Sequence, residues 1–533
     1  MELLEQFKDI FSFLKKRKKE QDIFLDIKNS FTINGKLIFA GELLKIAYQK
    51  FADKTVLISS TCDKKITYKE LFFRSVLISR KLKDLQVKPG DRVILHIENS
   101  FDFYIIYFAI WNIGAIVVPL NTFLHEKELA HVIKDSGAKI AFVGNSLQEN
   151  WSNLLKLNLI EKLPHILLQD SIDWQQAVPE KIDFNVDVLN PDELCLLLYT
   201  SGTTGLPKGV MLSSRNILIN AMQAYARLTL CSHRKRERLF CVLPLFHSFA
   251  QNTCMWLPVM IGASVIVVPK IDRKLILQGL HKNPTIFFGF PALYGLLCLL
   301  KTAPLDSIKI FVSGADMLPD KIRSAFAMIY GRKICAGYGL TEASPVVAFN
   351  YDNDAKKTNV VGKVLSSMEC DIRDDKENSL NQNQTGILWL RGDNIMLGYY
   401  NSPSITDKVL KNGWLNTGDL ASIDKYGNLA INGRDKDLII HKGFNIYPQE
   451  IENVLMSHPN VIKAAVIGVD EVLSGQVPIA YVAIKGVDQN IQDSLRQLCL
   501  NNLAQYKIPR KFICLDDLPM NSTGKVDKKR LQI

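Results

Sequence analysis

Apolar and polar positions follow two periods along this chain, and the changes between them outline its elements. Short apolar runs of strand length stand at residues 56–59, 92–96, 115–119 and 194–199. Longer stretches between them carry helical spacing. Thr67 followed by Glu70 has the form of a capping box and predicts a helix running towards Leu85. Residues 88–91, Lys-Pro-Gly-Asp, predict a turn, and residues 101–114 and 216–228 predict helices. The strand–helix rhythm over residues 36–190 predicts an α/β sheet covered on both faces. Residues 284–300 read as strand, turn and helix with few polar positions, and residues 241–249 as a strand running into Pro244. Further on, residues 371–385 are rich in Asp, Asn and Gln and read as surface loop. Residues 386–390 then read as a strand and 449–457 as a helix. No internal repeat or low-complexity segment is visible.

At the start of the chain, Leu3, Leu4, Phe7, Ile10, Phe11 and Leu14 share one helical face, and Lys15, Lys16, Arg17, Lys18 and Lys19 follow directly. This pattern suits a terminal helix packed on its own domain with a solvated charge run. The lesser reading is peripheral contact of residues 1–20 with an anionic membrane surface. The apolar stretches 105–120 and 255–268 are too short and too interrupted to span a bilayer, so they predict buried helix–strand units.

The 533 residues are too many for one simple core and predict at least two domains. A net charge of +11 fits polyanionic ligands, an acidic surface or diffuse solubility charge. The basic clusters are short and lack interleaved aromatics, which argues against nucleic acid as a partner. The ten cysteines contain no Cys-x-x-Cys pair, so a disulfide framework or a zinc site is not expected and a cytoplasmic location is. The N-terminal stretch, broken by charges, does not read as a signal peptide.

The stretch after the run 194–199 carries the chemistry. Thr200, Ser201, Gly202, Thr203, Thr204 and Gly205 supply hydroxyls and permissive backbone, and Lys208 supplies a positive charge. Physically this is a phosphate cradle, although the Gly-x-x-x-x-Gly-Lys-[Ser/Thr] spacing is absent. From the residues alone, a polar surface loop remains an equal reading. The string Thr-Ser-Gly-Thr-Thr-Gly-Leu-Pro-Lys-Gly-Val, eleven positions long, closely resembles the signature of the adenylate-forming superfamily, in its fatty acyl-CoA synthetase branch. In that family the loop holds the β- and γ-phosphates of ATP. The resemblance extends over residues 50–533.

The resemblance implies a role for each of the following residues. His247, in Pro-Leu-Phe-His, lies near the α-phosphate and the substrate carboxylate, with a positioning role. Gly289 and Phe290 line the acyl site, and Trp256 is a weaker candidate for the same wall. Gly314 and Ala315 contact the nucleotide. In Gly337-Tyr338-Gly339-Leu340-Thr341-Glu342, Tyr338 stacks on adenine, Gly339 contacts the nucleotide, Thr341 faces a phosphate, and Glu342 holds Mg²⁺. Asp419 accepts bonds from the ribose hydroxyls, and Arg434 contacts the nucleotide. Lys436 is a hinge, Lys442 and Gly443 border the pantetheine of coenzyme A, and Lys525 bridges the attacking carboxylate and the α-phosphate. Glu342, Thr203, His247 and Lys525 form the expected catalytic set. One departure is Ser474-Gly475-Gln476, where many relatives carry Gly-Glu.

The architecture so implied is a large N-terminal domain of doubly covered α/β sheets and a small, mobile α+β C-terminal domain. The expected limits are 1–35 for an N-terminal extension, 36–433 for the adenylation domain and 434–533 for the lid. The expected activity is that of an acid–thiol ligase, activating a medium- or long-chain fatty acid with ATP and Mg²⁺ as acyl-AMP and passing it to coenzyme A. Two alternatives stand beside it: loading of a carrier-protein phosphopantetheine, and a non-catalytic nucleotide-binding scaffold. The expected location is cytoplasmic, with peripheral attachment to the inner membrane surface as the variant reading.

Overall fold

The computed structural model describes residues 2–161, 164–168, 176–200, 207–231, 237–350, 359–441, 444–471, 475–486, 490–520 and 526–531, with side chains in the first helix from Lys16 onward. Two large sheets form its body, and the first contains most of the strands that the strand–helix rhythm over residues 36–190 predicts. The first has seven strands in the order 398–399, 208–213, 194–200, 116–119, 92–96, 140–143 and 165–168. Its five members from 194–200 onward are parallel, and the other two are added antiparallel. The second has eight strands, in the order 346–349, 335–339, 310–313, 286–289, 238–241, 264–267, 55–59 and 65–67. Only its two outer members are antiparallel.

Helix Phe101–Asn112 is apolar on every side, and that is why it lies inside the molecule. Trp111 Nε1 donates to the carbonyl of Cys195 in the first sheet at 2.9 Å. On another face Tyr104 donates to the carbonyl of Cys254 at 2.9 Å, so the helix is shared between two layers. The capping box expected at Thr67 is present. Thr67 Oγ1 accepts from the Glu70 amide at 3.1 Å, Glu70 Oε2 accepts from the Thr67 amide at 2.7 Å, and the helix runs Tyr68–Asp84.

A third sheet is antiparallel, in the order 360–362, 429–434, 414–423, 386–391 and 369–373. Its last strand enters the stretch expected to be loop from residue 371. Ile372 is buried there, and the pairing with Gly386–Arg391 overrides the polar composition. Strand Leu429–Arg434 ends this sheet, and the single turn Asp435–Asp437 leads to strand Ile439–His441 of a fourth sheet. That sheet has its own core, including Ile446, Ile451, Leu455, Val466, Val482 and Leu495.

The first helix extends well past the basic run, over Glu2–Ser30. Lys16, Arg17, Lys18 and Lys19 are exposed, but Glu20 and Phe24 are buried. Glu20 Oε2 accepts from Arg227 Nε at 2.7 Å, and both side chains are at most 2% exposed. The helix therefore packs on its own domain from Glu20 onward. The nine cysteines whose side chains are described are free thiols. Among the described residues no helix is long and apolar enough to cross a membrane.

Candidate active site

The phosphate-cradle sequence joins two antiparallel strands, Leu194–Thr200 and Lys208–Ser213, with Thr200 opposite Lys208. Ser201, Gly202, Thr203, Thr204 and Gly205 lie outside the described residues. Thr200 and Lys208, at the two feet of the loop, are half-buried. The Lys208 ammonium stands 5.8 Å over the ring of Tyr399.

Parallel strands of the second sheet deliver the next residues at their carboxyl ends, where open α/β sheets bind ligands. The Gly314 amide donates to the Gly289 carbonyl at 2.9 Å, and a side chain at Gly314 would meet the Phe249 ring at 3.2 Å. Ala315 follows with φ of 67°, a left-handed conformation uncommon for a residue with a Cβ. Strand Cys335–Gly339 then carries Tyr338. A Cβ on Gly339 would sit 2.2 Å from the Pro345 carbonyl oxygen, so only glycine lets the chain fold back here. The turn Thr341–Ala343 results, and it presents Thr341 and Glu342 beside Tyr338.

Asp419, almost fully buried in strand Trp414–Ile423, gathers residues from two sheets. Arg434 Nε donates to its Oδ1 at 2.9 Å, and the Tyr338 hydroxyl donates to its Oδ2 in a short bond. Burial, reinforced by the Asp419 charge, pushes the Tyr338 phenol well above its usual range, so it stays a neutral donor. Asp419 also raises Arg434, against the opposing effect of burial. A carboxylate offers about four lone-pair positions, so Asp419 still has capacity for the two hydroxyls of a ribose.

Around Glu342, Tyr399 donates its hydroxyl to Oε1 at 2.8 Å. Thr341 Oγ1 and Ser248 Oγ lie 3.2 Å apart. Ser248 opens the short helix Ser248–Gln251, directly after His247, whose ring lies 4.6 Å from that of Phe246. The expected positioning histidine is thus one residue from a contact to the Thr341 turn. Phe290 is half-buried and packs against the cores on both sides of the second sheet. A Cβ on Gly289 would meet Phe287, Leu293 and Tyr294 at 3.1–3.2 Å. Trp256 is not brought to this cluster. It is fully buried, donates to Tyr107 Oη at 3.3 Å and stacks at 6.4 Å on Trp111, which makes it a core residue rather than a site wall.

Lys436 is exposed on the turn Asp435–Asp437, between the third and fourth sheets. Lys442, Gly443 and Lys525 lie outside the described residues. The chain on either side of Lys525 is pinned, however. Met520 and Val526 form an antiparallel bridge, and the Asp527 amide donates to the Pro519 carbonyl at 2.7 Å. Lys528 Nζ lies 2.8 Å from Glu452 Oε1. Burial pulls Lys528 down, but the charges of Glu452, Asp437 and Asp316 outweigh it and raise the group. Asp316 directly follows Ala315, so Lys528 lies within the electrostatic reach of the segment that leaves strand Ile310–Ser313.

Tyr399 and Ser248 escaped the sequence reading. Tyr399 ends an apolar run with no polar pattern to flag it, and Ser248 was one position past the histidine that drew attention. Among the described residues no group of three or more His, Cys, Asp or Glu could hold a metal. A single hard carboxylate with a neighbouring hydroxyl fits Mg²⁺, which keeps several waters and is held largely by substrate phosphates.

The model of the AMP-binding enzyme family matches residues 44–400. The chain belongs to this family. The family's C-terminal domain model matches residues 450–525. The chain is 30% identical to the long-chain-fatty-acid–CoA ligase of Escherichia coli O157:H7, over 92% of this chain and 93% of that one. It is also 30% identical to 4-coumarate–CoA ligase 2 of Nicotiana tabacum, over 91% and 92% of the two chains. Among solved structures, the o-succinylbenzoate coenzyme A synthetase of Bacillus subtilis in complex with ATP and magnesium ion matches with a TM-score of 0.82. That pair is 28% identical and covers 92% of this chain and 99% of the other. The superfamily and the α/β fold class expected from the sequence are borne out. So is an enzyme of the ligase kind.

Proposed function

We propose that this AMP-binding enzyme is an ATP-dependent acyl-CoA synthetase acting on a medium- or long-chain fatty acid. The observation that carries the reading is the convergence of Tyr338, Asp419 and Arg434 with Glu342 and the feet of the phosphate loop. The chain length of the acid draws its support from the Escherichia coli relative and from the apolar setting of Gly289 and Phe290. The tobacco relative, equally similar, makes an aromatic acid the competing substrate.

In the first half-reaction an acid oxygen attacks the α-phosphorus of ATP. The bond to the β-phosphate oxygen breaks, and pyrophosphate leaves with its electron pair. Two anions must meet, so the work is alignment and charge neutralisation. Tyr338 offers a ring face to adenine, Asp419 accepts from the ribose hydroxyls, and Arg434 adds positive charge beside them. Thr200, Thr203 and Lys208 hold the phosphates, and His247 orients the acid. The acid is already ionised at neutral pH, so no base is needed. Glu342, with Thr341 beside it, would hold Mg²⁺, which when bound neutralises phosphate charge. Lys525 bridges acid and α-phosphate. In the second half-reaction the thiolate of coenzyme A attacks the acyl carbon, AMP leaves, and the thiol proton passes to solvent. Rotation about Lys436 exchanges Lys525 for the segment bearing Lys442 and Gly443, so that one site serves both steps. The limits 36–433 and 434–533 belong to this proposal.

Release of AMP with butanoic, octanoic, octadecanoic and 4-coumaric acids, each with Mg²⁺, ATP and coenzyme A, tests the reading. The longer straight-chain acids should give the highest kcat/KM. Preference for 4-coumaric acid would overturn the acyl assignment, and turnover only with a phosphopantetheinylated carrier would overturn the acceptor.

A further inference from the structure

Tyr399 touches two groups on which the proposed adenylation step depends. Its hydroxyl donates to Glu342 Oε1 at 2.8 Å, and the Lys208 ammonium stands over its ring at 5.8 Å. Neither contact is incidental to a loose surface side chain, because Tyr399 is half-buried and its backbone is pinned. Strand Gly398–Tyr399 pairs with Lys208–Ser213, the strand that leaves the phosphate loop, with Val210 opposite Tyr399. The Leu397 amide donates to Met211 O at 2.9 Å, and the Tyr400 amide to Gly209 O at 2.7 Å. On the other side the Met396 amide donates to the Glu342 carbonyl at 2.9 Å. The Tyr399 amide itself donates to Thr406 Oγ1 at 2.9 Å. Residues 396–400 are therefore laced both to the strand ending the phosphate loop and to the turn bearing the metal-binding carboxylate.

A glutamate has three side-chain torsions, and a carboxylate that is to hold a metal gains from having them fixed. The hydrogen bond to Oε1 restrains the carboxylate and leaves Oε2 for coordination. The ring face does the corresponding work for Lys208, whose ammonium is attracted to the aromatic quadrupole.

We infer that Tyr399 is a positioning residue of the adenylation step, setting Glu342 for magnesium–ATP and Lys208 for the phosphates from one side chain. The inference rests on the assignment of Glu342 to the metal. Tyr399→Phe removes the hydroxyl and keeps the ring, whereas Tyr399→Leu removes both.

The test reads binding as well as turnover: the thermal stabilisation of each protein by ATP as Mg²⁺ is titrated, and the split of KM for ATP against kcat in pyrophosphate exchange. Tyr399→Phe should raise the half-saturating Mg²⁺ by about ten-fold, as expected for loss of a hydrogen bond to a charged group, with the ligand-free melting temperature unchanged. Tyr399→Leu should in addition raise KM for ATP several-fold at saturating Mg²⁺. Glu342→Gln separates the two levels of the argument. If Glu342→Gln raises the Mg²⁺ requirement and Tyr399→Phe stays within two-fold of the parent protein, the role of Tyr399 is refuted alone. If neither substitution moves it, the assignment of Glu342 falls, and the inference with it. A lowered melting temperature with an unmoved Mg²⁺ requirement would make Tyr399 a packing residue and likewise refute the inference.

Discussion

Asp419 shows how much of the site rests on single side chains. It is buried, and it accepts from Tyr338 of the second sheet and Arg434 of its own sheet. Its replacement by alanine removes two charge-assisted hydrogen bonds, each about 1.5–3 kcal/mol, together with the proposed ribose acceptor. Acid-dependent pyrophosphate exchange by Asp419→Ala should lose on the order of a hundred-fold or more in kcat/KM for ATP. His96 gives a prediction of a different kind. It is wholly buried, and its Nδ1 accepts from Trp151 Nε1 at 2.9 Å while Nε2–H faces the Asn121 carbonyl at 3.2 Å. Burial lowers it from 6.5 to about 4. As pH falls through 6.5 the unfolded chain takes up a proton that the folded chain refuses until about 4. Its contribution to stability is therefore full above pH 6.5 and declines between 6.5 and 4, by at most ~3 kcal/mol. The melting temperature of His96→Gln should fall less steeply than that of the parent protein over this window. At this scale the sequence spoke through motifs. Tyr338, Asp419 and Arg434 were named from separate strings, and the structure brings them together. Tyr399 carried no such string, because an aromatic at the end of an apolar run looks like core.

Elements position these residues, and two of them make testable claims. Gly339 allows the chain to pass the Pro345 carbonyl and form the turn that presents Thr341 and Glu342. Gly339→Ala places a Cβ 2.2 Å from that oxygen, so the turn must shift. A misplacement of about 1 Å can cost on the order of a hundred-fold, and pyrophosphate exchange by Gly339→Ala should fall by that order while the protein remains folded by circular dichroism. The first helix is held by the buried pair of Glu20 and Arg227. Arg227 also donates to the carbonyls of Phe349, Lys363 and Val364, and Glu20 accepts from the Ser366 amide. Glu20→Leu leaves the guanidinium without its carboxylate and should cost about 3–5 kcal/mol in thermal or urea unfolding, whereas Glu20→Leu with Arg227→Met should recover part of the loss. The capping box at Thr67 and the strands at 92–96 and 194–199 were legible because they rest on local rules. The inward turn of the first helix at Glu20 was not legible, since an acidic residue in a charged run gives no sign of a partner 207 positions later.

At the scale of the molecule, the first sheet follows largely from the strand–helix rhythm, and the plural sheets of the body from the family resemblance. The small fourth sheet, with its own core, follows from chain length and the family resemblance. What the amino-acid pattern could not convey is how separate strand ends assemble around one point. That depends on the strand order 335–339, 310–313, 286–289 and on the antiparallel return at 398–399. The account makes the two half-reactions depend on different faces of the C-terminal part. Lys436→Pro at the turn Asp435–Asp437 should spare acyl-AMP formation within a few-fold and lower thioester formation by about ten-fold or more, since proline fixes φ where the proposed rotation takes place. The most direct measurement of the central claim is made on Lys525→Ala: fatty-acid-dependent exchange of pyrophosphate into ATP, alongside ATP binding and thioester formation from supplied acyl-AMP. The account predicts that exchange falls by at least about a thousand-fold while ATP still binds and supplied acyl-AMP is still converted by coenzyme A. Unchanged exchange would contradict it, because closure of two folded parts over the triphosphate, with positive charge contributed by each, could then not be what drives the first step.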